Sequence, residues 1–309
     1  MDTTQRKFIE HLGPVNPNLV VDVCLTAVAL LGTVLNLVLL FIACRRRNRQ
    51  WAIDAFLIAA IGFFDFVVCM SIIVSFAMRC WLGEKVWDTR GAWCKFTAIS
   101  FSGATVITLG FTACLAVVRY LALVRGRQIN TRVWLVTVGI ATLVLISLFI
   151  ERGLNGMLFV LPSGFYCTSQ YYGTDWSSIF FGLLNVLILF PSVVAIPVCY
   201  IKITLYYSRV IHTMYDIDHS DIVRRLKRNN FCLVLVLVSY SLSIFPEFIH
   251  INLSMIFKTQ RTALSDGIVM LLLAGMTIVN PTFALLLHDE FRLEFFALIG
   301  VVKEHQIPL

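Results

Sequence analysis

Apolar residues along the chain gather into seven long runs, roughly 19–43, 52–78, 92–121, 133–150, 177–205, 230–257 and 263–287, divided by shorter polar stretches. A hydrocarbon core of about 30 Å takes about 20 helical residues; six runs exceed that length and 133–150 sits at its lower edge. Backbone groups in lipid must be satisfied within their own segment, so the runs are predicted to be α-helices. No run of about ten residues shows the period-2 alternation of a membrane barrel. The pattern predicts an all-α fold, a seven-transmembrane helix bundle over 19–287. A short segment, 1–18, precedes it, and 288–309 follows.

Composition agrees with this reading. Hydrophobic residues make up 59% of the chain and charged residues 14%, and the mean hydropathy is +0.84. A soluble domain of this size would need a polar shell that the chain does not supply. The basic residues then set the topology. With the N-terminus outside, Arg45, Arg46, Arg47, Arg49, Arg119, Arg125, Arg127, Arg132, Lys202, Arg209, Arg224, Arg225, Lys227, Arg228, Arg292 and Lys303 all fall inside, 16 of the 25 Lys and Arg. That excess predicts an N-out, C-in arrangement. The net charge of +7 is therefore expected to face anionic lipid and acidic protein rather than nucleic acid. The polar stretch 1–18 does not read as a cleavable leader, and the first helix is expected to act as the insertion signal.

Nine cysteines are present. Cys24, Cys44, Cys69, Cys114, Cys199 and Cys232 lie in or at the ends of spans and read as small apolar residues. Cys80, Cys94 and Cys167 fall on the expected outer side, where disulfides persist. A Cys94–Cys167 bridge would tie the loop 151–176 across the mouth of the bundle, and Cys80 competes for either partner.

Polar and helix-breaking residues inside the spans carry the functional signal, because charged or amide groups in lipid are costly. Asn36 lies in the first helix, Asp65 in the second and Arg119 at the end of the third. Pro246 interrupts the sixth helix, and Asn280-Pro281 interrupts the seventh near its end. Singly, Asn36 reads as interhelical glue, Pro246 as a tolerated kink and Arg119 as a snorkelling cation. Their joint order is much harder to obtain by accident.

On these residues the chain resembles the rhodopsin-like family of G-protein-coupled receptors over about 19–296. Cys94 and Arg119 stand 25 residues apart and Asn36 and Asp65 stand 29 apart, intervals like those of the family. Asn280-Pro281 is similar to the start of the family's Asn-Pro-x-x-Tyr motif, and His288 to Phe296 resembles its short amphipathic eighth helix. Phe291 and Phe295, one turn apart, are expected to face lipid there. The chain also departs from the pattern. Val118 replaces the acid before the arginine, Ile244 the helix-6 aromatic, and Ala284 the terminal tyrosine. Helix 4 lacks a central tryptophan, with Trp134 at its inner end.

The resemblance implies a receptor, not an enzyme, that binds an extracellular ligand within the bundle and activates a heterotrimeric G protein by moving helix 6. Arg119, Tyr120, Asn280, Pro281 and Pro246 would form the activation switch. Val118, and Leu226 beside Lys227 and Arg228, leave Arg119 without the acids that usually restrain it, which predicts a loosely held resting state. Asp65, Thr108, Thr277 and Asn36 would form a polar core, with Asp65, Thr108, Thr277 and Asn280 sharing a hydrated pocket. Water suits that pocket, and so does a sodium ion, since hard cations prefer oxygen. The ligand is expected to be a small molecule or short peptide. Phe101, Thr105, Glu247, His250 and Met270 are its candidate contacts, with Ser102, Trp176 and Phe180 beside them. Phe101 stands where amine receptors carry an aspartate. Glu247 alternatively pairs with His250. Helix 7 has no lysine for a retinal Schiff base, so no organic cofactor is expected.

Two other classes remain on the page. A multi-pass transporter or channel would use the intramembrane acids Asp65 and Glu247, although the halves show no repeat. A receptor homologue that no longer signals is the other. No HExxH or GxSxG motif appears, and the six histidines are scattered, which argues against an enzyme.

Overall fold

The computed structural model describes residues 19–45, 53–83, 91–127, 130–169, 176–214, 220–257 and 262–298. The expected terminal segment 1–18 and the tail beyond Leu298 lie outside the described residues. Seven helices are long and apolar enough to cross a membrane. They are α1 (Leu19–Arg45), α2 (Ile53–Leu82), α3 (Ala92–Leu123), α4 (Thr131–Leu154), α5 (Trp176–Met214), α6 (Ser220–Phe257) and α7 (Ala263–Leu287). A short α8 (Asp289–Leu298) follows, and a two-stranded hairpin, β1 (Leu158–Val160) and β2 (Cys167–Ser169), lies between α4 and α5. The architecture is that of a multi-pass membrane protein.

The exterior is apolar, unlike that of a soluble protein, over a core that is mostly apolar as well. On α4, Val133, Val136, Ile140 and Leu143 are largely exposed, an apolar surface that only lipid or another protein accommodates. Inside the bundle lie Asn36, Asp65, Thr108, Thr112 and Thr277, all buried. Helix starts carry their own signals: the Asn130 side chain caps α4 through the Arg132 N–H, and Thr262 caps α7 through the Ser265 N–H.

The hairpin marks one end of the bundle. Its strands are antiparallel, with Leu158 opposite Ser169 and Val160 opposite Cys167. Cys167 is bridged to Cys94 at the start of α3, and Cys80 is free, so of the open pairings this one forms. The turn between the strands closes with the Gly164 N–H on Leu161 O at 2.8 Å, and Gly164 has φ +65°, a left-handed conformation that favours glycine. Asp266 at the start of α7 accepts from the Ser163 N–H at 3.0 Å. Beside this turn the buried pair Arg79–Asp22, at 3.1 Å, joins α2 to α1. The fully buried Arg152 reaches from α4 to Ser169 and Ser178. Bridge, turn and two arginines hold the hairpin down over the helices.

At the opposite end α8 folds back on the bundle. Phe291 is 2% exposed, in a cluster with Leu39, Ile42, Leu57 and Val118, and Phe295 packs against it. The expectation that both face lipid is thus corrected: they anchor α8 to α1, α2 and α3. One local feature of α3 departs from a regular helix, a π-helical turn over Ala98–Gly103. It presents Phe101, Ser102 and Thr105 to the interior.

Candidate functional site

Among the described residues, one cavity between the helices lies toward the hairpin and another toward α8. The first is lined by Phe101, Ser102 and Thr105 of α3, Tyr166 and Thr168 of the hairpin, and Leu189 and Val193 of α5. Ile244, Glu247, Phe248 and Ile251 of α6, and Leu273 and Met276 of α7, complete its wall, and Asp65, Thr108, Tyr240, Thr277 and Asn280 its floor. Water centres can reach about 90 Å³ of it, room for on the order of six waters. Tyr166 closes the top, its ring 4.5 Å from that of Phe101.

The floor is a hydrogen-bonded partition. Asn280 Nδ2 donates to Asp65 Oδ2 at 2.7 Å. The Tyr240 hydroxyl meets Asn280 Oδ1 at 2.6 Å and Thr112 Oγ1 at 2.9 Å. Asn280 Oδ1 is acceptor only, so the single Tyr240 proton goes to it, and the single Thr112 proton is shared between Tyr240 and the Thr108 carbonyl, 2.9 Å away. Thr112, Tyr240, Asn280 and Asp65 form a connected chain across α3, α6, α7 and α2. Thr108 Oγ1 is buried close to the Asp65 carboxyl. Both line the floor and offer oxygen to a water or a hard cation.

Asn36 acts one layer away. Pro281 has no N–H, so the carbonyl of Thr277, four residues earlier, loses its helical donor. Asn36 Nδ2 supplies the replacement, donating to Thr277 O and to Gly32 O, each at 2.8 Å. The approach of α1 to α7 needs glycine at position 32, where any Cβ would meet Thr277 Oγ1 at 2.5 Å.

The second cavity lies below the partition, lined by Arg119, Tyr200, Leu115, Val236, Phe283, Ala284 and Leu287. Tyr240, Asn280 and Thr112 line it as well, so Tyr240 and Asn280 separate the two spaces. Arg119 is buried and surrounded. Its Nη1 donates to the Tyr200 hydroxyl at 3.4 Å, its Nη2 to His288 Nε2, and its Nε lies 3.9 Å from Asp54 Oδ2. A guanidinium only donates, so His288 Nε2 is the unprotonated nitrogen in this contact. Val118 and Leu226 leave the two usual positions without an acid, as expected, but Asp54 of α2 brings a carboxylate beside Arg119. Val118 itself packs into the apolar cluster that holds Phe291.

A scan against models of known protein families finds no match, and a search of curated proteins finds none either. The site must therefore be read from its own geometry.

Asp65, Thr108, Thr277 and Asn280 come together as the sequence suggests, and Phe101, Thr105 and Glu247 line the upper cavity. Met270 does not. It is fully buried in a separate cluster with Leu25, Ile72 and Phe101. His250 is half-buried on α6 and outside the cavity wall, about 60° further round the helix than Glu247, which is itself at the edge of the stripe Ile244, Glu247, Phe248 and Ile251. Trp176 and Phe180 are exposed on α5. Tyr120 is turned toward α5, accepting from Arg125 Nε at 3.1 Å with Lys202 Nζ 5.5 Å from its ring centre. Pro246 and Pro281 lie within unbroken α6 and α7. Sequence reasoning missed Tyr240, Thr112, Tyr200, Asp54 and His288. A tyrosine in mid-span, as Tyr240 is, carries the same signal as Asp65, a polar group that needs a partner in lipid.

Proposed function

We propose that this chain is a receptor of the rhodopsin-like G-protein-coupled type in the plasma membrane, with its N-terminus and hairpin outside. The observation that carries the proposal is the pair of cavities meeting at the Tyr240–Asn280 hydrogen bond, one able to hold a ligand and the other lined by Arg119. The size of the upper cavity favours a small molecule over a peptide. A ligand there acts by binding one arrangement of the partition better than another, since only differential affinity shifts such an equilibrium. Displacing α6 carries Tyr240 away from Asn280. Opening the lower cavity then requires Arg119 to leave Asp54, Tyr200 and His288, exposing a cationic surface to a heterotrimeric G protein. Asp65 and the Thr108 hydroxyl would hold a water, or a sodium ion completed by waters, which steadies the closed partition.

The test is nucleotide exchange by a panel of Gα subunits with the purified protein in lipid, wild type against Arg119→Ala. Exchange above the variant's level supports the receptor reading. A second reading draws on one observation, that Asp65 and Glu247 line the same cavity. Two intramembrane acids above a closed partition also suit a proton- or cation-coupled transporter. Silence of every Gα subunit combined with current or uptake in vesicles would select it. Silence in both assays would leave a homologue that no longer signals.

A further inference from the structure

The seam between α3 and α5 gathers positive charge without any acid of its own. No aspartate or glutamate occurs from Tyr120 to Ile150 or from Trp176 to Met214, while Arg125, Arg127, Arg132, Lys202 and Arg209 fall in those stretches. Two of these cations meet on one ring. Lys202 Nζ lies 5.5 Å from the centre of the Tyr120 ring, within reach of cation–π attraction. Arg125 Nε donates to the Tyr120 hydroxyl at 3.1 Å. Among the described residues neither cation has a carboxylate partner, and the terminal nitrogens of Arg125 and the Tyr120 proton have no acceptor. Ammonium, guanidinium and phenol proton together offer donors only. That set suits an anion, and a phosphate best, because guanidinium takes phosphate oxygens in pairs.

Depth in the bilayer narrows the choice of anion. Lys202 is exposed, as are Val194 and Val198 on α5 and Leu123 on α3. Positions 194, 198 and 202 follow one another at four-residue steps, so they share a side of α5. Lys202 stands 26 residues after Trp176, about 39 Å along the helix, close to the 40–45 Å or so from headgroups to headgroups. Trp176, largely exposed at the other end, has the character of an interfacial anchor. Lys202 therefore lies at headgroup level, its stem along apolar surface and its ammonium at the boundary. A phospholipid arrives with its phosphate at this depth and its chains beside Val198 and Val194. The choline of a zwitterionic lipid would bring another positive charge to a place that already holds two.

We propose that the seam where α3 meets α5 binds an anionic phospholipid, its phosphate held by Lys202, Arg125 and the Tyr120 hydroxyl. In the N-out arrangement this is the cytoplasmic leaflet, where anionic lipid is found. The lipid joins, from outside, the two helices that Arg119 and Tyr200 join from within at 3.4 Å. The site requires only that α3 and α5 cross a bilayer, so it stands or falls apart from the receptor reading.

The experiment is native mass spectrometry of the full-length protein in detergent micelles, titrated with dioleoylphosphatidylglycerol, dioleoylphosphatidylcholine or glycerol phosphate. The two lipids share their chains and differ in headgroup charge, and glycerol phosphate carries the phosphate without chains. A cation beside an anionic headgroup is worth about fivefold in affinity, so phosphatidylglycerol should bind on the order of 25-fold more tightly than phosphatidylcholine. Lys202→Gln and Arg125→Gln should each reduce that preference about fivefold. Arg224→Gln, at an exposed cation of α6, should leave it within about twofold. Thermal unfolding of each variant reports whether it folds, and the comparison of the two lipids on wild type stands without them. Equal binding of the two lipids, a preference that survives both Lys202→Gln and Arg125→Gln, or an equal loss in Arg224→Gln would overturn the proposal. Glycerol phosphate binding as tightly as phosphatidylglycerol would make the ligand a soluble phosphate and overturn it as well.

Discussion

Gly32→Ala is the most economical test of how α1 seats on α2 and α7. The added Cβ would lie 2.5 Å from Thr277 Oγ1, 2.8 Å from Cys69 Sγ and 3.2 Å from Thr277 Cβ. None of these is the loose end of a long side chain. Thr277 is buried and its hydroxyl is fixed on Ala274 O at 2.7 Å. Relief requires α1 to back away, and overpacking of this kind costs about 1–3 kcal/mol. Retreat also stretches the Asn36 bond to Thr277 O, another 0.5–1.5 kcal/mol or so. Alanine recovers up to about 1 kcal/mol of helix propensity, so the net loss should be about 1–3 kcal/mol. Gly275→Ala on α7 is the matched control, because nothing lies within 4 Å of its added Cβ. Equilibrium unfolding in mixed micelles with rising SDS, followed by circular dichroism, measures both variants. On a Thr277→Ala background the Gly32→Ala loss should shrink, since the nearest obstructing atom is gone. A Gly32→Ala protein as stable as Gly275→Ala would refute the close approach of these helices.

Tyr240→Phe keeps the ring but leaves Asn280 Oδ1 without its donor, and should cost about 1–3 kcal/mol in the same unfolding assay; a neutral result would remove the partition. Asp54→Asn weakens a half-exposed ion pair of the class worth about 0.2–1 kcal/mol, so basal nucleotide exchange should rise between about 1.4- and 5-fold. Unchanged or lower exchange would show that Asp54 does not restrain Arg119. Cys94→Ser opens a bridge spanning 73 residues and should lower stability by at most about 4 kcal/mol, as seen by comparing wild type with and without reductant.

The seven runs of apolar residues locate the seven helices well because lipid imposes both length and helicity on them. They underestimate α5 and α6, which run to Met214 and begin at Ser220, since helix continues through residues too polar for a hydropathy reading. The floor residues Asp65, Thr108, Thr277 and Asn280 were legible as polar groups in lipid, each obliged to find a partner. The partners of Arg119 were not. Asp54 and His288 lie at helix ends, where a charge or an imidazole is unremarkable in sequence and only packing brings the two together. Nor could periodicity separate Met270 from a pocket position: an apolar residue on α7 looks the same whether it meets a cavity or Leu25. The role of Asn36 emerges only once Pro281 and the Thr277 carbonyl are seen side by side.

Pro246 divides α6 very unequally. The 38-residue helix is about 57 Å long, nearly twice the thickness of a bilayer core. The arm from Pro246 back to Ser220 accounts for about 39 Å of that length. Proline removes a hydrogen bond at the fulcrum, where bending is easiest. A rotation of about 5° there sweeps the far tip through about 3 Å, with no atom near the proline moving by more than a fraction of that. Leverage of this size turns a small displacement beside the proline into a large one at the far end of the helix.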